Sequence, residues 1–141
     1  MFRPSGKVAL VQKVSLFRDL SRKQLGEIAR LTEEIDVPAG KRLATAGERG
    51  NELFVIIAGE AVVKTAPGRT VRLGPGKFFG EMSLIDGRPR SANVDAGTDM
   101  RLLVVGRREF WALLSVAPSL VHTIMQTLSN RVREAEASVS A

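Results

Sequence analysis

The sequence contains no cysteine and no tyrosine, and only one histidine and one tryptophan. Without cysteine there is no disulfide, no thiol nucleophile and no cysteine-ligated zinc. The lone His122 excludes any site that needs two imidazoles, and it has no catalytic neighbours in sequence. No apolar run approaches the ~20 residues of a membrane-spanning helix. Residues 1–6 lack the long apolar core of a secretory leader. A reducing, cytoplasmic setting is therefore the expectation. Internal repeats and low-complexity linkers are absent too, and so is a block of like charges.

What is present describes one folded domain. The chain has 141 residues, 44% of them hydrophobic, which is enough to bury a core without staples. A single domain over 1–141 is expected, with its core at about 15–135 and frayed termini. The net charge is +6. The excess is thin and dispersed, and no aromatic residues interleave with the basic ones. This reads as a solvated surface rather than a nucleic-acid footprint. A small anionic ligand, which needs only one or two well-placed arginines, stays open.

Two apolar-periodic regions flank a glycine-rich middle. Residues 8–16 read as helical. Ser21 and Gln24 fit a capping box ahead of a helix through Leu25, Ile28 and Ala29. Pro38, Ala39 and Gly40 read as a turn. Ten glycines then punctuate the chain from Gly40 to Gly97, with short apolar or alternating runs between them. The runs at 42–46, 53–58, 61–65, 70–73, 93–96 and 101–105 predict strands. Residues 53–58 are apolar throughout, as in a strand covered on both faces. The last third is helical. Phe110, Trp111, Leu113 and Leu114 lie on a short helix, and Pro118 suits the first turn of another. Leu120, Val121, Ile124, Met125, Leu128 and Val132 recur along that second helix, a stripe read as core or lid packing. Residues 135–141 are expected to fray. The order predicts a mainly β fold, a small sandwich with helices at its ends.

Residues 78–94 carry the chemistry. Gly80 lets backbone approach a ligand closely. Residues 81–85 can make one or two helical turns whose free N–H groups attract an anion. Gly87 to Pro89 turns the chain back, and Arg90 is expected to enter a strand and point at the same helix start. An arginine converging with helical N–H groups makes a phosphate site. Glu81 would repel a phosphate but can accept a hydrogen bond from a sugar hydroxyl. One acceptor for a ribose and one cation for a phosphate together describe a nucleotide.

This segment, Phe79-Gly80-Glu81-Met82-Ser83-Leu84 followed by Arg90-Ser91-Ala92, resembles the phosphate-binding cassette of the cyclic nucleotide-binding domain family, as found in bacterial channel and catabolite-activator-type sensors. Pro38-Ala39-Gly40, Gly47, Gly50, residues 53–59 and Leu73-Gly74-Pro75-Gly76 follow the family's spacing. The resemblance covers about residues 15–135. It implies a jelly-roll-like β-roll (a double-stranded β-helix) with an N-terminal helical segment and C-terminal helices B and C. It further implies that Glu81 binds the ribose 2′-hydroxyl and that Arg90 pairs with the cyclic phosphate. Backbone N–H groups of Gly80, Met82 or Ser83, and Ala92 would surround phosphate and sugar, and the Ser91 hydroxyl would add a hydrogen bond. Val63, Val71 and Phe79 are candidates for the apolar wall beside the base. In some bacterial channel domains an arginine on the last helix caps the purine, and ungapped counting from Arg90 puts Arg131 there, with Leu128 and Val132 as apolar alternatives. Ser83 stands where the family more often has Ala, and Asn51 where it often has Asp; neither removes the cassette's charged pair.

The implied role is a sensor without catalysis or cofactor, its ligand cAMP rather than cGMP on the strength of Ser91. No Gly-x-Ser-x-Gly elbow supports a hydrolase built from Ser91, Glu81 and His122. An effector domain or protein contacting the last helix is the expected partner. No reading head for DNA is found before Ala141, so nucleic acid is not expected to bind this chain alone. The alternatives are a nucleotide-independent scaffold of the same fold, or the sensor part of a regulator or channel.

Overall fold

The computed structural model describes residues 6–65 and 68–139. Helix α1 (Gly6–Lys13), a 3-10 turn (Ser15–Phe17) and α2 (Arg22–Arg30) precede the strands. The helical segment expected at 8–16 thus divides in two. The capping box forms: the Ser21 hydroxyl accepts from the Gln24 N–H at 3.1 Å, and the Gln24 side chain accepts from the Ser21 N–H at 3.0 Å. The same helix buries Leu25, Ile28 and Ala29.

Among the described residues eight strands follow: β1 (Glu33–Val37), β2 (Arg42–Ala44), β3 (Glu52–Ala58), β4 (Ala61–Thr65), β5 (Arg69–Leu73), β6 (Phe78–Phe79), β7 (Asn93–Ala96) and β8 (Met100–Gly106). They form two antiparallel sheets, ordered β1-β8-β3-β6 and β2-β7-β4-β5. The chain passes from one sheet to the other and back, as in a jelly roll. The predicted β-roll with flanking helices is the observed architecture. Helix α3 (Glu81–Asp86) lies between β6 and β7, and α4 (Arg107–Val116) and α5 (Ser119–Val139) close the chain. These last two occupy the places of helices B and C.

Strands β1 and β6 are absent from the sequence reading. β1 reads Glu-Glu-Ile-Asp-Val, three acids in five residues. It is an edge strand, and its acids meet Arg101 on β8, whose Nε lies 3.4 Å from Glu34 and 3.0 Å from Asp36. Helix α5 runs to Val139, past the point where fraying was expected; Ala135, Glu136 and Ala137 are good helix formers. Residues 140–141 of that expectation lie outside the described residues.

Two cores meet at the first sheet. Phe54, Ile56, Leu102 and Val104 point between the sheets, with Ala61, Phe79, Val94 and Ala96. Leu53, Val55, Leu103 and Val105 point the other way, against Val11, Phe17, Ile28, Phe110, Leu113 and Leu120 of the helices. Alternate residues of β3 and β8 therefore face opposite cores. This is the structural content of the continuous apolar run at 53–58.

Candidate functional site

Helix α3 starts at Gly80, whose φ of 96° is left-handed. A Cβ there would lie 2.6 Å from both the Glu52 carbonyl oxygen and Arg90 Nη1. Glycine is required twice over, by conformation and by close approach. The next residue, Glu81, is 1% exposed. Its carboxylate forms an ion pair with Arg131 Nη1. Arg131 reaches in from α5, donates a second hydrogen bond to the Phe78 carbonyl at 2.7 Å, and lays its guanidinium over the Phe78 ring at 5.2 Å. Burial pushes the Glu81 carboxyl above its ordinary value, outweighing the opposing pull of Arg131, a backbone hydrogen bond and Arg90.

Arg90 sits on the other side of the Gly80 turn. Its Nη1 donates to the Gly80 carbonyl at 2.9 Å and its Nη2 to the Glu52 carbonyl at 2.8 Å. Its guanidinium is 6.0 Å from the Phe54 ring centre. The Arg90 backbone is clamped to the β2–β3 loop: its N–H donates to the Glu48 carbonyl at 2.8 Å, and its carbonyl accepts from Gly47 at 2.9 Å. Gly50 lies directly beneath, since a Cβ there would be 2.2 Å from Arg90 Nε. Partial burial draws the guanidinium below its ordinary range, with Glu52 and Glu81 opposing. Arg90 precedes β7 by three residues, so the expectation that it enters a strand is corrected: it lies in the loop, and the Glu48 and Gly47 pairing holds it there.

The remaining sequence candidates differ in exposure. Val63 and Val71 are directly paired across β4 and β5 and only partly buried. Met82 is 50% exposed, whereas Ser83 is buried. Ser91 is exposed and lines a shallow depression with Thr65, Arg69 and Asn93, while Arg90 borders a different one with Arg42, Arg49 and Glu52. Ala92 is half-buried. Phe79 faces the space between the sheets. It is 5% exposed and stacks on Phe54 with ring centres 5.0 Å apart, because β6 pairs with β3 in that register. Its ring is part of the core between the sheets.

One residue escaped the sequence reading altogether. Arg107, the first residue of α4, donates to the carbonyls of Gly50 at 3.1 Å, Ser83 at 3.2 Å and Leu84 at 3.3 Å. Nothing local in the sequence separates it from Arg108 beside it. Among the described residues no group of His, Asp or Glu is placed to hold a metal, and no helix is long and apolar enough to cross a membrane.

Residues 34–116 match the cyclic nucleotide-binding domain model, and the chain belongs to that family. It is 43% identical over 122 residues to a cyclic nucleotide-gated potassium channel of Rhizobium etli, a match covering 86% of this chain and 34% of the channel. It is 36% identical over 104 residues to the cyclic AMP receptor protein of Thermus thermophilus, covering 70% of this chain and 48% of the receptor. The chain thus spans between a third and a half of these relatives. In three dimensions it is similar to the Thermus thermophilus catabolite activator protein, with a TM-score of 0.78 and 31% identity over 89% of this chain and 61% of that one. A cyclic nucleotide-binding domain from Methylobacillus flagellatus gives 0.72 and 32%, over 90% of this chain and 76% of that one.

Proposed function

We propose that this chain is a regulatory module that binds a 3′,5′-cyclic nucleotide, cAMP in preference to cGMP, and reports occupancy through its C-terminal helix. The observation that carries this reading is that one buried carboxylate, Glu81, and one arginine, Arg90, flank the Gly80 turn. In this reading the ribose 2′-hydroxyl donates to Glu81. Arg90 meets the cyclic phosphate with N–H groups of Gly80, Met82 or Ser83, and Ala92. Ser91 adds a hydrogen bond, and Val63 and Val71 flank the base. Arg131 is the polar residue of α5 that already reaches the cassette, and it is assigned to close over the purine. The ligand shifts α5 only by its differential affinity for two positions of that helix. The listener is an effector domain or protein contacting α5, in keeping with relatives that are channels and regulators.

Calorimetric titration of nucleotide-stripped protein with cAMP, and in parallel with cGMP, tests this. One-to-one saturation supports the sensor, and the tighter ligand identifies the purine. A second reading, a nucleotide-independent scaffold, draws on the way Arg90 and Glu81 already find partners in Gly80, Glu52 and Arg131. Silence of folded, stripped protein toward both nucleotides would favour it.

A further inference from the structure

The two walls that enclose Arg90 come from distant parts of the chain. One is Gly50, in the β2–β3 loop, whose Cα lies against the Arg90 side chain. The other is the start of α3, where Gly80 accepts from Arg90. Neither wall is anchored by Arg90 alone. Arg107 spans them, its Nη2 donating both to the Gly50 carbonyl and to the Ser83 carbonyl, and its Nη1 to that of Leu84. The last two are carbonyls of the final turn of α3; that of Ser83 also accepts from the Gly87 N–H at 3.0 Å, and a cation there complements the helix dipole. The Arg107 Nε is buried and, among the described residues, is the buried side-chain nitrogen or oxygen left without a partner. A polar atom buried in this way is tolerated where the rest of the group is needed in place. Arg107 is also the first residue of α4, which leads directly to α5 and Arg131.

We infer that Arg107 is a positioning residue for anion binding: it sets the gap between Gly50 and α3 in which the Arg90 guanidinium lies, and it ties that gap to the C-terminal helices. The inference rests on the assignment of Arg90 to the nucleotide phosphate. Lysine cannot replace it, because one ammonium on a flexible stem does not reproduce a planar fork spanning two backbone segments.

The test is a double-mutant cycle read by calorimetry with cAMP: wild type, Arg107→Met, Arg90→Ala and the double variant, with Arg107→Lys alongside and thermal unfolding of each. Arg107→Met is expected to weaken cAMP binding about tenfold or more, and Arg107→Lys to restore less than half of that loss. In the Arg90→Ala background the same change is expected to cost less than about twofold, because the group it positions is gone. Equal losses in both backgrounds would overturn the inference, as would wild-type affinity in Arg107→Met. Should Arg107→Met fail to fold, Arg107→Lys carries the cycle, and full wild-type affinity there would equally overturn it. Wild-type protein that takes up no cyclic nucleotide removes the underlying assignment first, a result distinct from any of these.

Discussion

Arg131 and Glu81 are fifty residues apart in the chain and form an ion pair across the mouth of the cassette, with Glu81 almost wholly buried. Beyond Leu128 the helix that carries Arg131 is otherwise exposed through Glu136. This pair, with the Arg131 bond to the Phe78 carbonyl, ties the distal part of α5 to the cassette. Arg131→Ala is expected to speed amide hydrogen exchange beyond Leu128 while leaving the turns at Leu120 and Ile124 protected. Unchanged exchange in the distal turns would show that the pair does not hold them.

Arg90→Ala is expected to lower cAMP affinity at least tenfold. A hydrogen bond to a charged group contributes about 1.5–3 kcal/mol, and ~1.4 kcal/mol is tenfold. Calorimetry on the folded variant decides, and wild-type affinity would contradict the phosphate assignment.

Two glycines should separate binding from stability. The three atoms nearest to a methyl at Gly50 are all in the Arg90 side chain, the closest at 2.2 Å. Gly50→Ala is expected to lower cAMP affinity about tenfold through Arg90 while unfolding within about 4 °C of wild type. Gly59 has φ +89° and a methyl there would lie 2.3 Å from the Asp99 carbonyl oxygen. Gly59→Ala is therefore expected to cost stability, about 1–2 kcal/mol from the left-handed backbone alone, read by urea unfolding.

The raised Glu81 carboxyl has a defined pH signature. Its folded-state value lies above the ordinary 4.5 because burial dominates. The stability it contributes is therefore full below that ordinary value and is lost as pH rises through the folded-state value. Glu81→Gln, which stands in for the protonated acid, should be more stable than wild type at neutral pH, with the difference closing as pH falls to about 4.5 and below. Unfolding midpoints across that range check it. A variant less stable at neutral pH would mean that the Arg131 pair outweighs burial.

Leu103→Ala is expected to destabilise by about 2–5 kcal/mol, measured by urea unfolding, because Leu103 is 0% exposed in the core beneath the helices.

Much of this was legible in the sequence. The strands at 53–58, 61–65 and 101–105 announced themselves through apolar β-branched runs between glycines, and the Ser21–Gln24 box through its spacing. β1 did not, because Glu33, Glu34 and Asp36 mask the alternation of Ile35 and Val37, and their compensating charge, Arg101, is remote in sequence. Within the site, Gly80, Glu81 and Arg90 could be read together because one short segment holds them. The stacking of Phe79 on Phe54 could not be read there, because the two rings lie on different strands. Arg107 was missed for the same reason: its contacts are backbone carbonyls of distant residues, which leave no trace in side-chain identity.

The arrangement of β3 has a consequence for error-proofing. Phe54 and Ile56 serve the space between the sheets, while Leu53 and Val55 serve the helices. A slip of one residue against β8 would exchange these sets, forcing a stacked phenylalanine toward the helices and pulling a leucine into its place. The large rings and branched chains fit only one way round, so misregistered neighbours of the native pairing are shut out by shape even though every residue concerned is greasy enough for either side.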